Sequence, residues 1–351
     1  MRKITKSLLW DITYKCNLNC SHCYNSEKIR SHDKEILVNN KNIKDILLKI
    51  KKLGINHIHF LGGEPFCVDN IFEIFEECSK NNILISINTN GTYLKPEIYN
   101  KLFRNNIINQ ITISIDGATA NENDQIRGQG TYFKVLDNVK KMMKYIEENK
   151  LSTIVQIATV ITKENIENIH RLPKILNQNG VKYLDILQLY ECGNGEKNKN
   201  KLFIDEIEYL YMLRKILVQA YLNNIFVQID CKPLVLDLLN KDIGFGVITE
   251  SKFNSCQACE SILFMDAYGD IFPCGPFSQI KKLKNDFSCN LFDINFIEKI
   301  MMYKNKMKND ILENEDIRNE CNTCKYIKCC SGCNLCSTSS RLCKIAMNEF
   351  H

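Results

Sequence analysis

The sequence predicts an α/β fold: a partial (β/α)6 barrel of the TIM type followed by a small C-terminal cysteine-rich domain. Three observations carry this. Over roughly the first 190 residues, short β-like runs alternate with amphipathic helical segments. Six such units are present, too few for a closed eight-stranded barrel. After residue 255 regular apolar periodicity weakens and eleven cysteines crowd together.

Strands are expected at 8–13, 57–61, 83–88, 110–115, 153–160 and 183–189. Helices are expected at 42–53, 71–80, 95–104, 132–148 and 166–178. Repeated βα units imply a parallel sheet with helices packed outside it, and such barrels place their chemistry at the C-terminal ends of the strands. The segment 193–200, GNGEKNKN, is polar and reads as a loop leaving the barrel. A long amphipathic helix is expected at 203–222, and 225–255 shows no clear pattern. The expected organisation is a barrel over 1–200, a helical linker over 201–250 and a metal-stabilised tail over 251–351, since a small domain without a large core is commonly held by metal.

Composition narrows the partners. The net charge of +5 is spread along the chain, so no nucleic-acid or membrane partner is implied. The N-terminal stretch has charges, a short apolar run and no small-residue cleavage site, so it is not a signal peptide. No run approaches about 18 apolar residues, which excludes a spanning helix, and a cytoplasmic protein is expected. Eighteen cysteines without a secretion signal argue against a disulfide framework and for ligation of soft metals.

The first constellation is Cys16-x3-Cys20-x2-Cys23, directly after the first strand. Three thiolates on one loop can hold three irons of a four-iron cluster and leave the fourth open to a cofactor. A zinc site completed by His22 is the competing reading. The second is Gly62-Gly63-Glu64-Pro65 at the end of strand two, where two glycines permit close backbone approach and Glu64 offers an acceptor. By itself this is also a turn before a helix.

Together these motifs resemble the radical S-adenosylmethionine (SAM) superfamily. ITYKCNLNCSHCYN matches its three-cysteine signature and GGEP its second motif. SINTNGTYL at 86–94 and SIDGA at 114–118, with Gln125-Ile126-Arg127-Gly128, match the third and fourth strand regions. The resemblance covers roughly 7–190. It implies that Cys16, Cys20 and Cys23 ligate a [4Fe-4S] cluster whose open iron chelates the methionyl group of SAM. It implies that the Gly62, Gly63, Glu64 and Pro65 turn receives the amino group, and that Ser114 and Arg127 contact ribose and carboxylate. Asp116 reads more simply as a cap in the turn before Gly117.

In the tail, Cys256-x2-Cys259, Cys274, Cys321-x2-Cys324, Cys329-Cys330, Cys333, Cys336 and Cys343 form a metal pattern, and structural zinc in two four-cysteine sites is an open alternative. SILFMDAYGDIFPCG at 261–275 and CNTCKYIKCCSGC at 321–333 resemble the two halves of a SPASM domain. That resemblance implies two auxiliary [4Fe-4S] clusters, one on Cys256, Cys259, Cys274 and Cys333, the other on Cys321, Cys324, Cys330 and Cys343. The spacing departs from the family pattern, so Cys329 competes with Cys330 and Cys336 with Cys343. Cys192, after strand six, is a candidate to meet substrate or donate a hydrogen atom. Cys78 reads as a small core residue.

The resemblance implies an enzyme in which a 5′-deoxyadenosyl radical abstracts hydrogen from a peptide or protein. The favoured reaction is a thioether or carbon–carbon crosslink in a short ribosomal peptide. Anaerobic sulfatase maturation is the alternative, but Gly275-Pro276-Phe277 follow Cys274 where that group carries an Asp proposed as base. An external reductant such as flavodoxin or ferredoxin is implied. With about fifteen residues before Cys16, a leader sequence would be bound by a separate protein or by the tail. A multi-cluster electron carrier and a zinc-stabilised interaction protein are the non-enzymatic readings.

Overall fold

Strand β1, Ser7–Thr13, alternates Leu8, Trp10 and Ile12 with Ser7, Leu9, Asp11 and Thr13, the period of two that puts one set on each face of a sheet. The computed structural model describes residues 6–30, 42–243, 257–279, 281–307 and, in the tail, 324, 326, 330 and 342–347. Within them β2 (His57–Gly62), β3 (Leu84–Thr89), β4 (Ile108–Ser114), β5 (Ile154–Val160) and β6 (Tyr183–Leu187) follow in order, each parallel to the one before. All six expected strands form.

Four further strands extend this sheet. Strand β7, Phe226–Ile229, pairs parallel with β6 and comes from the stretch without a clear pattern. Strand β8, Ile262–Met265, pairs parallel with β1 on the opposite flank. Strands β9 (Asp270–Phe272) and β10 (Cys289–Asn290) continue outward antiparallel, so the hairpin read at 261–275 is present and adds to the barrel's sheet. The order is β10-β9-β8-β1-β2-β3-β4-β5-β6-β7. The sheet ends at β7 and β10 rather than closing on itself, the partial barrel that six units implied.

Apolar outward positions (Trp10, Phe60, Ile85, Ile111, Ile157) pack with Ile46, Ile50, Ile74 and Val139 of the covering helices. Three helical expectations and one loop expectation need correction. At 95–104 Pro96 starts a short 3-10 turn, Pro96–Ile98, and only Tyr99–Leu102 is α-helical. At 166–178 the helix begins at Leu172, because Pro173 lacks the N–H needed beyond a first turn. The segment 193–200 is not an open loop: it forms two short helices, Asn194–Lys197 and Lys199–Leu202. The helix at 203–222 starts at Glu206, where Asp205 caps the amides of Ile207 and Glu208. Pro233–Ile243 is also helical. Among the described residues no helix is long and apolar enough to cross a membrane.

The face turned away from the helices is polar, unlike the aliphatic layers that fill a closed barrel. Ser7 Oγ lies 3.0 Å from His57 Nδ1, and His57 Nε2 lies 2.8 Å from Ser86 Oγ. His59 Nε2 lies 2.7 Å from Asn88 Oδ1, and Gln110 Nε2 donates to Gln156 Oε1 at 2.5 Å. Burial pushes His59 down to about 4, so its ring is neutral. These side chains satisfy one another and leave a hydrogen-bonding lumen. Asp185 is the exception: its buried Oδ1 has no hydrogen-bond partner, and burial, with repulsion from Asp230, pushes the carboxyl up to about 7.

This gives a pH prediction. The folded-state value lies above the ordinary 3.8, so this group's favourable contribution is complete below that value and is lost as pH rises through about 7. Asp185→Asn is therefore expected to raise the melting temperature by several degrees at pH 8, worth about 2–4 kcal/mol, and by almost nothing at pH 4. Thermal denaturation at both pH values checks this; an equal gain at both contradicts it.

Candidate active site

The cysteine loop leaves β1 and is braced at its base by the glycines of β2. Gly63 N donates to Thr13 O at 2.7 Å and Glu64 N to Lys15 O at 2.9 Å. A Cβ on Gly62 would stand 2.3 Å from Thr13 O, one on Gly63 2.3 Å from Lys15 O, and Gly62 has φ +121°. Only glycine permits this approach. The motif thus clamps the loop.

Glu64 serves the same frame. It is fully buried, and its carboxylate accepts from Thr89 Oγ1 at 2.7 Å, Asn90 N at 2.7 Å and Phe66 N at 3.2 Å. Burial outweighs these donors and pushes it up to about 7. Its oxygens accept from the end of β3 and from the Phe66 amide, so its side chain also ties the turn to β3. Pro65 opens the short turn Pro65–Cys67 and is buried. Asn90 Nδ2 reaches across to Asn17 Oδ1 at 2.9 Å, and Asn17 Nδ2 donates to Thr92 Oγ1 at 2.9 Å, tying the loop to β3.

Asp116, read as a cap, is instead the electrostatic hub. It is fully buried, with its Oδ2 2.6 Å from Arg127 Nε and 2.6 Å from His22 Nε2. Its Oδ1 accepts from Val160 N at 2.7 Å. Burial would raise its pKa, but Arg127 and His22 outweigh that and hold the carboxyl well below the usual carboxylate range. Arg127 is thereby fixed at the cavity wall by its partner. His22 places its Nε2 against Asp116, which fixes the ring beside the thiols.

Cys16, Cys20 and Cys23 are free thiols lining one cavity of about 190 Å³, together with Gly62, Gly63, Ser114 and Arg127. Burial pushes each thiol up to about 11, so without a bound cation the thiols stay protonated at neutral pH. Among the described residues no three His, Cys, Asp or Glu side chains gather closely enough to share one metal ion. Three thiols around one cavity are the soft donor set that an iron–sulfur cluster would take. Asn88, Asn90, Tyr24, Gln188 and Tyr190 line the same cavity and were not singled out from sequence. Period-two polarity in β3 was the available signal for Asn88; Gln188 and Tyr190 lie just past β6 and carried none.

Residues 10–174 match the Radical SAM superfamily. This chain carries a radical SAM domain. The AdoMet-dependent heme synthase of Methanosarcina barkeri is 24% identical over 343 residues, spanning 95% of this chain and 92% of that protein. Mycofactocin maturase MftC of Mycolicibacterium smegmatis is 25% identical over 275 residues, 77% of this chain and 64% of that one. The structure of Streptococcus suis SuiB bound to precursor peptide SuiA superposes with a TM-score of 0.69 at 19% identity, over 95% of this chain and 72% of that one. The radical SAM domain makes the chain an enzyme, and its family implies a [4Fe-4S] cluster with SAM, which Cys16, Cys20 and Cys23 would hold.

The remaining sequence candidates sit elsewhere. Cys192 is half-buried and is not among the residues lining the cavity. Cys259 and Cys274 flank the β8–β9 hairpin, and Cys324, Cys330 and Cys343 are half-buried. Burial, then Asp230 and Cys343, push the Cys231 thiol up, which places this otherwise unassigned cysteine near Cys343. Cys256, Cys321, Cys329, Cys333 and Cys336 lie outside the described residues. Cys78 is a buried core residue, as read.

Proposed function

We propose that this radical SAM enzyme modifies a peptide, installing a thioether or carbon–carbon crosslink in a short ribosomal product. When bound, a cluster on Cys16, Cys20 and Cys23 supplies the electron that splits SAM into methionine and a 5′-deoxyadenosyl radical able to take hydrogen from an unactivated carbon. The protein's own part is orientation and shelter: the Gly62–Gly63 backbone, Ser114, the Asp116-held Arg127, Gln188 and Tyr190 wall the cavity.

The observation that carries the reading is that thiols, glycine turn, Ser114 and Arg127 converge on one cavity that continues into a polar lumen. The maturase relative and the peptide-bound SuiB fold support a peptide as substrate. In this proposal the tail carries two auxiliary [4Fe-4S] clusters, an external flavodoxin or ferredoxin supplies electrons, and a separate protein binds any leader. Formylglycine formation is disfavoured because Gly275-Pro276-Phe277 follow Cys274. A second reading, heme synthesis, is favoured by one observation: the heme synthase relative aligns over 95% of this chain.

One experiment separates the two. The anaerobically reconstituted chain is incubated with SAM, dithionite and either a library of short cysteine-containing peptides or an iron porphyrin. Mass spectrometry is expected to show loss of two hydrogens from the peptide, with deuterium passing from labelled peptide into 5′-deoxyadenosine. An unaltered peptide beside a modified porphyrin would overturn the peptide reading.

A further inference from the structure

The residues after β6 do two things in succession. Leu187–Tyr190 line the cavity, and the chain then turns back across the cysteine loop. Asn194 N donates to Cys23 O at 2.9 Å, Asn194 Nδ2 donates to Cys20 O at 2.8 Å, and Asn198 Nδ2 donates to Ser21 O at 2.7 Å. Three carbonyls of the loop, at 20, 21 and 23, are thus held by one short segment. Within itself the loop has only weak support there, such as Cys23 N to Cys20 O at 3.2 Å.

The glycines on either side make the approach possible. A Cβ on Gly193, which has φ +59°, would stand 2.6 Å from Cys23 O and 2.7 Å from Tyr24 O. A Cβ on Gly195 would stand 2.3 Å from Tyr190 O. Asn194 is 6% exposed, so water does not readily replace its amide. None of these bonds goes to sulfur.

We propose that Asn194 and Asn198 are positioning residues that set where the thiols of Cys20 and Cys23 stand, and through them the geometry of the metal centre. Asparagine is required because each carbonyl needs a side-chain N–H donor. An aspartate of the same shape would set a carboxylate oxygen against a carbonyl oxygen. The inference rests on reading 16–23 as a cluster loop, and its test separates the two.

The test is the N194D/N198D double variant of the full chain, with the exposed helix-end substitution N149D as control. In the iron-free protein, amides of 16–23 are expected to exchange with deuterium on the order of tenfold faster in the double variant, while β2–β5 keep wild-type protection. In the reconstituted, reduced protein, the change that SAM produces in the electron paramagnetic resonance spectrum is expected to broaden or vanish, and to stay intact in N149D. Wild-type exchange in 16–23, exchange that rises equally across the barrel, or an unchanged SAM-dependent spectrum would each overturn the assignment. If wild-type protein itself gave no SAM-dependent spectrum, the cluster reading would fall, and the exchange result alone would decide the clasp.

Discussion

Asp116→Ala is expected to destabilise the chain by about 3–5 kcal/mol, the cost of leaving a buried charge without its partner. The carboxylate is fully buried and lies 2.6 Å from both Arg127 and His22. Its loss strands the Arg127 guanidinium, which is 9% exposed, and leaves the Val160 amide without an acceptor. Asp116→Asn keeps that acceptor and the shape but not the charge, so its loss should be smaller. The pH dependence identifies the cause. The native carboxyl is held below its ordinary value of 3.8, so its contribution is present above that pH and disappears as pH falls through the depressed native value. Urea denaturation followed by circular dichroism should therefore show the gap between wild type and variant narrowing below about pH 4. A variant within about 1 kcal/mol of wild type at pH 7 would refute the hub role.

Replacing Cys16, Cys20 and Cys23 together by Ala is expected to abolish release of 5′-deoxyadenosine from SAM, down to the rate without protein. The reason is specific to the site. Among the described residues these are the thiols that line the cavity. The fold should survive, because the three side chains are half-buried on a loop outside the apolar core and the loop's carbonyls at 20, 21 and 23 are held by Asn194 and Asn198 rather than by sulfur. Liquid chromatography of the nucleoside, with a melting curve of the same sample, checks both parts. Retained cleavage would move the reaction away from this loop; a collapsed melting curve would make the loss uninformative and contradict the stated packing.

Much of the fold was legible because it is written locally. Period-two runs such as Leu8–Trp10–Ile12 located all six barrel strands, and Pro96 and Pro173 account for the places where expected helices shortened. Strand β7 was not visible, since FVQI is four residues long and polar at alternate places only once. The pairing of β8 with β1 joins residues about 255 apart, and no local pattern encodes it.

The site divides the same way. By itself the sequence marked out the candidate atoms: three thiols at a spacing that suits iron, placed after a strand, with two glycines and Arg127 in order along a barrel. Tertiary structure alone decided what the neighbouring polar groups do. Glu64 turned inward to β3, Asp116 became the partner of Arg127 and of His22, which is 94 residues away, and Asn194 reached Cys20 across 174 residues. The physical reason is that a ligand's identity is a property of its side chain, whereas the direction and partner of a buried polar group are set by whichever donor or acceptor the folded chain leaves unsatisfied beside it.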